Sequence, residues 1–101
     1  MFYIYILYSC IIDKYYVGHS QDPWIRLIQH NNNPSDKYTG QTKDWELKAV
    51  FEVSENRGEG MKIEKFIKKQ KSRKFIEVLI DENAILSGAI ANLVRVPHVR
   101  D

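Results

Sequence analysis

The side chains best suited to chemistry in this chain include two tyrosines, Tyr5 and Tyr16, and an arginine and a histidine, Arg26 and His30. Phenol and imidazole groups can transfer protons, and a guanidinium binds anions through a rigid fork of donors. The tyrosines lie in two stretches rich in aromatic and β-branched residues, and the polar segment 13–14 separates these stretches. This pattern predicts a β-hairpin that brings the two phenols near each other.

Two further candidates are His19, which follows the second tyrosine, and Glu64, which lies on a later predicted helix. Each candidate also has a structural explanation when it is taken singly. A tyrosine in a strand is usually a packing residue, an Arg–His pair on a helix can face solvent, and His19 could be a turn residue. Glu64 could form an ion pair with Lys68 one helical turn later, worth about 0.3 kcal/mol. A functional role for these candidate residues is favoured only if one site uses all of them together.

The bulk composition predicts a single soluble domain, residues 1–101, because the length of 101 residues suffices for one core. Charged residues make up 28% of the chain, as in ordinary globular proteins. Cys10 is the single cysteine, which excludes an intramolecular disulfide and a zinc site built on several thiolates. No apolar run approaches the ~20 residues of a membrane span, and the N-terminus lacks the features of a signal peptide. We therefore expect a cytoplasmic protein.

Positive charge is concentrated in one segment of the chain. The net charge is only +2, but residues 60–75 hold seven lysines and arginines against one acid, so this segment carries +6 and the rest carries −4. A local basic block is typical of a surface that binds phosphates. A solvated helix surface explains the charge alone equally well.

Asp22 and Pro23 predict the start of a helix, since Asp can cap free N–H groups and Pro suits the first helical position. Four apolar residues fall on one arc of this helix, Trp24, Ile25, Leu27 and Ile28. Arg26 and His30, four residues apart, stack outside that arc, so we expect them on the polar side. The segment 31–34, three asparagines and a proline, ends the helix.

The middle of the chain predicts one more strand and a long helix. A polar surface loop spans residues 35–44, and a third strand follows at 45–53. We assign both tryptophans to the core. The long helix runs to about Gln70, with Glu64 at the edge of a buried stripe that includes Ile67.

Ser72 is a plausible cap for a further helix that ends near Ile80. Residues 84–94 are mildly amphipathic and predict a last, weaker helix, and the residues from Pro97 onward look like a tail. The fold class is thus predicted to be α+β, with the order β-β-α-β-α(-α) and a small three-stranded antiparallel sheet flanked by helices. The core would span about residues 2–80.

An ordered set of motifs closely resembles the GIY-YIG nuclease superfamily. The set comprises Tyr3-Ile4-Tyr5, Tyr16-Val17-Gly18, Arg26 ten residues after Tyr16, His30 four residues later, and Glu64. It is most similar to small stand-alone members related to the N-terminal nuclease domain of the bacterial excision-repair endonuclease. Each triplet alone is weak, whereas the ordered set with its spacings is specific. The resemblance covers about residues 2–80, and the first glycine of the family name is a tyrosine here.

The resemblance implies a phosphodiester hydrolase that uses one divalent ion, Mg²⁺ or Mn²⁺. Glu64 would then be the metal ligand, because one carboxylate with substrate oxygens and water suits an ion that keeps much of its hydration shell. Arg26 would bind the phosphate that is cut.

The remaining roles also follow from the resemblance. Tyr16 would accept the proton of the attacking water and Tyr5 would orient that water, although a pKa of ~10 makes a tyrosine an unusual base. His19 lies where some relatives carry a lysine that helps to deprotonate the tyrosine, and by this resemblance His19 would do the same here. His30 would hold the phosphate or relay the proton. Gly18 would end its strand and let the substrate backbone come close. A late asparagine that often lines the family's site is left unassigned.

The expected partner is DNA, possibly branched, nicked or single-stranded. It would be bound through the basic helix and the loop at 35–44, with little sequence specificity. The residues expected to contact DNA are Lys37, Tyr38, Lys43, Lys65, Lys68 and Lys69. One alternative is a nucleic-acid-binding module of the same fold that has lost catalysis. Another is a structural protein whose basic helix binds an acidic protein partner. The oligomeric state is not predicted.

Overall fold

The computed structural model describes residues 1–97, and the last four residues of the predicted tail lie outside this range. The main elements are β1 (Phe2–Ser9), β2 (Lys14–Ser20), α1 (Pro23–Asn32), β3 (Glu46–Ser54), α2 (Arg57–Lys69), α3 (Arg73–Ile80) and β4 (Val94–Arg95). Two short 3₁₀ turns lie at Thr39–Gln41 and Gly88–Ile90. None of the helices within residues 1–97 is long and apolar enough to cross a membrane.

The strands form one antiparallel sheet in the order β2-β1-β3-β4, which confirms the α+β class. The predicted hairpin is present, and its register places Tyr5 opposite Gly18 and Leu7 opposite Tyr16. The sheet has four strands instead of the three predicted, because a two-residue strand near the C-terminus pairs with the outer edge of β3. β2 and β4 are therefore the edge strands.

The two faces of the sheet pack against different helices, as the alternation of side chains along a strand requires. Ile4 and Ile6 of β1 point to the face covered by α2 and α3, where they join Ile67 and Leu79. Tyr5 and Leu7 point to the opposite face. There they pack with Val50 and Trp45, and Leu27 of α1 covers this cluster. The residues of the hairpin are thus divided between an aliphatic face and an aromatic face.

Helix α1 begins and ends where the sequence predicts. Asp22 caps it by accepting a hydrogen bond from the Ile25 N–H at 3.1 Å, and its last residue is Asn32. Its rotation about its own axis differs from the prediction. Ile25 and Ile28 are 52% and 62% exposed, whereas His30 is 3% exposed.

The expected position of Arg26 and His30 on a solvent-facing side of α1 is therefore wrong. The helix is rotated about its own axis by ~100°, the angle of one residue, relative to the orientation that would bury the predicted apolar arc. His30 can be buried because both of its ring nitrogens have hydrogen-bond partners. Hydrophobic periodicity takes no account of such partners, which belong to distant segments.

The C-terminal segment also departs from the prediction. A helix over residues 84–94 is absent, and the described chain there contains only the 3₁₀ turn and β4. Gly88 has a φ of +66°, a left-handed conformation that interrupts a helix. Ile90, 5% exposed, instead packs into the aliphatic core.

The loop at 35–44 is likewise more than a surface loop, since Thr39 is fully buried and accepts a hydrogen bond through its carbonyl from the Trp45 indole at 2.8 Å. Trp45 is 3% exposed, as expected of a core residue. Trp24 is half-buried at the edge of the aromatic face.

A carboxylate ties the hairpin turn to the start of β3. Asp44 accepts hydrogen bonds from the hydroxyls of Ser9 and Thr42, both at 2.5 Å, and from the Ile11 N–H at 3.0 Å. These hydrogen bonds lower the pKa of Asp44 from 3.8 to about 2, and the bond from Ser9 makes the largest contribution. The ionised form is therefore the one that the folded state stabilises.

We predict that Asp44 contributes stability above about pH 4 and that this contribution is lost as the pH falls toward 2. The sign follows because the folded-state pKa of about 2 lies below the ordinary value of 3.8, so the unfolded chain takes up the proton first. Chemical denaturation of wild type and Asp44→Asn between pH 2 and 7 measures the difference in free energy of unfolding. The difference should be largest at neutral pH and vanish near the acid end. Glu82→Gln is the control, and a difference for Asp44→Asn that does not change with pH would contradict the assignment.

Candidate active site

The ring of Tyr5 lies across Gly18 on the neighbouring strand. A Cβ atom added to Gly18 would lie 2.5 Å from the Tyr5 Oη and 2.6 Å from its Cζ, which is closer than real atoms approach. Gly18 lies inside β2, so the expectation that it ends the strand is wrong. Its missing side chain provides room for the phenol. The Tyr5 hydroxyl thereby reaches from the central strand toward the edge of the sheet.

The Tyr5 hydroxyl is linked to α1 and to the loop at 35–44 by a chain of hydrogen bonds. Tyr5 Oη lies 2.9 Å from His30 Nε2, and His30 Nδ1 lies 2.9 Å from Thr39 Oγ1. The nearby guanidinium of Arg26 acts to lower the pKa of Tyr5. Which group donates in each of these two bonds depends on which ring nitrogen of His30 carries the proton.

Burial sets the protonation states of this pair. Burial is the main cause that raises the pKa of Tyr5 from 10.0 to about 12. The nearby Tyr16 adds to this shift, and Arg26 opposes it. Burial is also the main cause that lowers the pKa of His30 below 6.5, and the positive charge of Arg26 adds to it. Tyr5 is thus a protonated phenol and His30 a neutral imidazole at neutral pH. Together they hold a fixed donor and acceptor in a water-poor environment.

Tyr16 is half-buried among aromatic rings at the edge of the sheet. Its ring centroid lies 4.8 Å from that of His30, 5.7 Å from that of Tyr38 and 6.3 Å from that of Tyr5. The ammonium of Lys68 lies 5.3 Å from the Tyr16 ring centroid. Burial raises the pKa of Tyr16, and the positive charge of Lys68 acts in the opposite direction. Lys68 is therefore a cation that favours the phenolate of Tyr16.

His19 and Glu64 meet on the other face of the sheet, where α2 packs against β2. The Nδ1–H of His19 donates to Glu64 Oε1 at 2.5 Å, and the ammonium of Lys68 donates to Glu64 Oε2 at 2.7 Å. The side chain of Glu64 is 19% exposed. The ion pair between Glu64 and Lys68 that the sequence allows is thus present. It coexists with a contact to the hairpin.

The donor set fits an ion such as Mg²⁺ that takes few protein ligands. No group of three or more His, Cys, Asp or Glu side chains that could hold a metal ion occurs within residues 1–97. Glu64 offers one partly accessible carboxylate beside a cavity of about 380 Å³. Mg²⁺ commonly binds through one or two carboxylates and completes its shell with water and phosphate oxygens. An ion at Glu64 would compete with His19 and Lys68 for the same oxygens.

Electrostatics connect the two faces. The negative charge of Glu64 raises the pKa of both Tyr5 and Tyr16, and the positive charge of Arg26 lowers both. Arg26 also lowers the pKa of His30, so the charges of Arg26 and Glu64 act on three of the other predicted residues. His19 is attached to this group through its hydrogen bond with Glu64.

The residues expected to contact DNA lie at different places around this group. Lys65 and Lys68 line the cavity beside Glu64, whereas Lys69 lines a different cavity on α2. Lys37 and Lys43 are exposed in the loop at 35–44. Tyr38 reaches the site directly, because its hydroxyl donates to the Tyr15 carbonyl at 2.9 Å and its ring lies beside Tyr16.

Two features of the site were not assigned from the sequence. Lys68 was expected to bind DNA or to pair with Glu64, and its position over the ring of Tyr16 was not predicted. Thr39, the partner of His30, lies in a polar loop that gives no indication of which hydroxyl is buried.

Comparison with known proteins identifies the family of this chain. The model of the GIY-YIG catalytic domain matches residues 1–76. The chain therefore belongs to the GIY-YIG nuclease superfamily, and nucleic acid is the class of substrate that this family acts on. Searches of curated proteins and of solved structures return no significant match.

We predict that Gly18→Ala displaces the Tyr5 ring and destabilises the fold by roughly 1–3 kcal/mol, as overpacking commonly does. Denaturant unfolding measures the loss. In a Tyr5→Leu background the same substitution should cost much less, because the clashing atoms are gone.

Gly60→Ala is the matched control. Gly60 is also buried, but a Cβ there would be 3.5 Å from its nearest neighbour, and Ala favours the helix by about 0.5–1 kcal/mol. Equal costs for Gly18→Ala in both backgrounds would contradict the proposed role of Gly18.

Proposed function

We propose that this protein is a metal-dependent endonuclease that hydrolyses phosphodiester bonds in DNA. Membership of the GIY-YIG nuclease superfamily supports the general activity. Hydrolysis requires a proton acceptor for water, positive charge for the phosphoryl oxygens and neutralisation of the leaving oxygen. The chain provides groups of each kind around the edge of β2.

The observation that carries the proposal is the convergence of side chains from four elements. The ring centroids of Tyr5 on β1 and Tyr16 on β2 lie 6.3 Å apart, and the ammonium of Lys68 on α2 lies over the Tyr16 ring while it donates to the Glu64 carboxylate. Arg26 on α1 lies near enough for its charge to lower the pKa of both phenols. A solvated surface pair or an isolated packing tyrosine would not require this arrangement. A site that binds a phosphate and a cation together would require it.

Arg26 is assigned to the phosphate that is cut. Its side chain is half-buried, and its Nη1–H donates to Gln29 Oε1 at 2.6 Å, so a neighbour on the same helix restrains the guanidinium. A restrained fork of donors binds two phosphate oxygens at once. Glu64 is assigned as the ligand of one divalent ion, Mg²⁺ or Mn²⁺. When bound, this ion supplies positive charge for the transition state and for the leaving 3′ oxygen.

Tyr16 is assigned as the acceptor of the proton from water. It is more accessible than Tyr5, which is 1% exposed, and it lies beside a cation. Lys68, rather than His19, is the cation that we assign to lowering the cost of its phenolate. Tyr5, protonated and fixed by His30, orients the attacking water or a phosphate oxygen through hydrogen bonds. His19 positions the carboxylate of Glu64.

Recognition of DNA is assigned mainly to charge. Lys65 and Lys68 surround the cavity at Glu64, and the segment 60–75 carries a net charge of +6 from seven bases and one acid. Contacts of this kind are made to the phosphate backbone and contain little sequence information. We therefore expect an enzyme that selects the structure of its substrate more than its sequence.

We predict that wild-type protein nicks supercoiled plasmid DNA in Mg²⁺ or Mn²⁺. Tyr16→Phe should reduce the rate by about 10²- to 10⁴-fold, since it removes the proton acceptor. Glu64→Gln should abolish nicking, because it removes the metal ligand, while binding of the DNA persists. A gel assay of nicking and a fluorescence assay of DNA binding measure the two properties separately.

Tyr8→Phe on the hairpin and Glu59→Gln on α2 are matched controls, and both should nick at nearly the wild-type rate. Tight binding of DNA without cleavage in either metal would instead favour the inactive binding module. The raised pKa of Tyr16 and the existing ion pairs of Glu64 are the observations that make this second candidate worth the separate assay. If the protein shows no salt-dependent binding of DNA, both the endonuclease and the inactive binding module are contradicted.

A further inference from the structure

A cavity of about 400 Å³ opens at the outer edge of β2, directly beside Tyr16. Cavities of ligand-binding size hold roughly 300–1,000 Å³. We call this one the aromatic pocket, and its defining residues are Tyr15, Tyr16, Tyr38, Lys68, Lys71 and Ile76. Three tyrosines and two lysines therefore meet three aliphatic side chains, Val17, Ile67 and Ile76, in one opening.

Tyr38 is held in position although it lies in a loop. Its hydroxyl donates to the Tyr15 carbonyl at 2.9 Å, and its ring stacks on Trp45 with the planes inclined by 27° and the centroids 6.2 Å apart. The residue nevertheless remains 38% exposed. A ring fixed in this way loses little conformational freedom when a ligand packs against it.

The aromatic pocket adjoins the cavity at Glu64. Lys68 lines both openings, and its ammonium bonds to Glu64 while lying over the ring of Tyr16. A ligand that places a phosphate near Glu64 can therefore place an attached flat group among the tyrosines. A nucleotide has this combination of a phosphate and a flat, partly apolar ring system.

We propose that the aromatic pocket takes one unpaired nucleobase of the substrate strand, next to the phosphate that is cut. The inference rests on the proposed function for its substrate, a nucleic acid. Bases stack on aromatic side chains largely independently of sequence, and lysines beside them bind the neighbouring phosphates. A base inside an intact duplex is stacked and paired, so it must first leave the helix to enter such a pocket. The substrate class is thus a strand with at least one unpaired nucleotide, as at a bulge, a flap or a single-stranded end.

Two duplexes with one unpaired nucleotide at the same position test this inference. In the first duplex the bulged nucleotide carries its base, and in the second it is abasic. Binding is measured by fluorescence anisotropy in chelator, so that no metal-dependent cleavage occurs. Wild type should bind the first duplex about tenfold or more tightly than the second, a ratio expected from the loss of one base stacked on an aromatic side chain. Tyr38→Ala should reduce this ratio to about one.

Two further variants separate the pocket from the stability of the fold. Tyr38→Phe retains the ring and should retain the preference for the base. Ile76→Phe fills the pocket from α3 and should abolish the preference while leaving salt-dependent binding of the abasic duplex unchanged. The ratio of the two affinities is informative because a general loss of folded protein changes both affinities equally.

The outcomes also distinguish this inference from the proposed function. If wild type binds both bulged duplexes equally while it still nicks plasmid DNA, the aromatic pocket is not a base site and the endonuclease assignment stands. Retention of the full preference by Tyr38→Ala and by Ile76→Phe would overturn the inference in the same way. If neither duplex is bound, both proposals fail.

Discussion

The contact between the Tyr5 ring and Gly18 is the constraint on which the rest of the site depends. Tyr5 belongs to a central strand whose side chains are buried, and only the absence of a side chain on the neighbouring strand lets its hydroxyl reach the sheet edge. His30 of α1 then fixes that hydroxyl, and Thr39 fixes His30. A core element is thereby connected to groups that solvent and substrate can reach.

The charges around the two phenols oppose one another. Burial and the carboxylate of Glu64 favour the protonated phenols, whereas Arg26 favours the phenolates of both and Lys68 that of Tyr16. Glu64 is itself bonded to His19 and Lys68. Binding of a cation at Glu64 would release these two side chains and reduce the negative charge that acts on Tyr16. In the proposed mechanism, the binding of an ion and the acidity of Tyr16 are therefore linked through a shared carboxylate.

Local signals predicted the parts of the fold that local interactions determine. The hairpin followed from two β-prone stretches, α1 from its Asp22 cap and α3 from its Ser72 cap, and each begins where predicted. The fourth strand and the irregular segment after α3 were missed. Their positions depend on Ile90 packing into a distant core and on backbone pairing with β3, which periodicity within the segment does not indicate.

The site could be predicted as a set of residues but not as a geometry. The ordered tyrosines, Arg26, His30 and Glu64 were selected by spacing and resemblance. The predicted rotation of α1 was wrong, because a search for apolar periodicity places a histidine on the solvent side of a helix. The tertiary contacts of His30 with Tyr5 and Thr39 make its burial favourable. The contact of Lys68 with Tyr16 was not predicted, because it crosses from α2 to the hairpin.

The claim that one cation at Glu64 serves the phenols of the hairpin can be tested by NMR with substoichiometric Mn²⁺, which broadens the signals of nearby nuclei. The account predicts that the side-chain signals of His19 and Tyr16 broaden first in wild type and stay sharp in Glu64→Gln. Broadening centred on the exposed carboxylates Glu77 and Asp81, with the signals of His19 and Tyr16 unaffected, would contradict it.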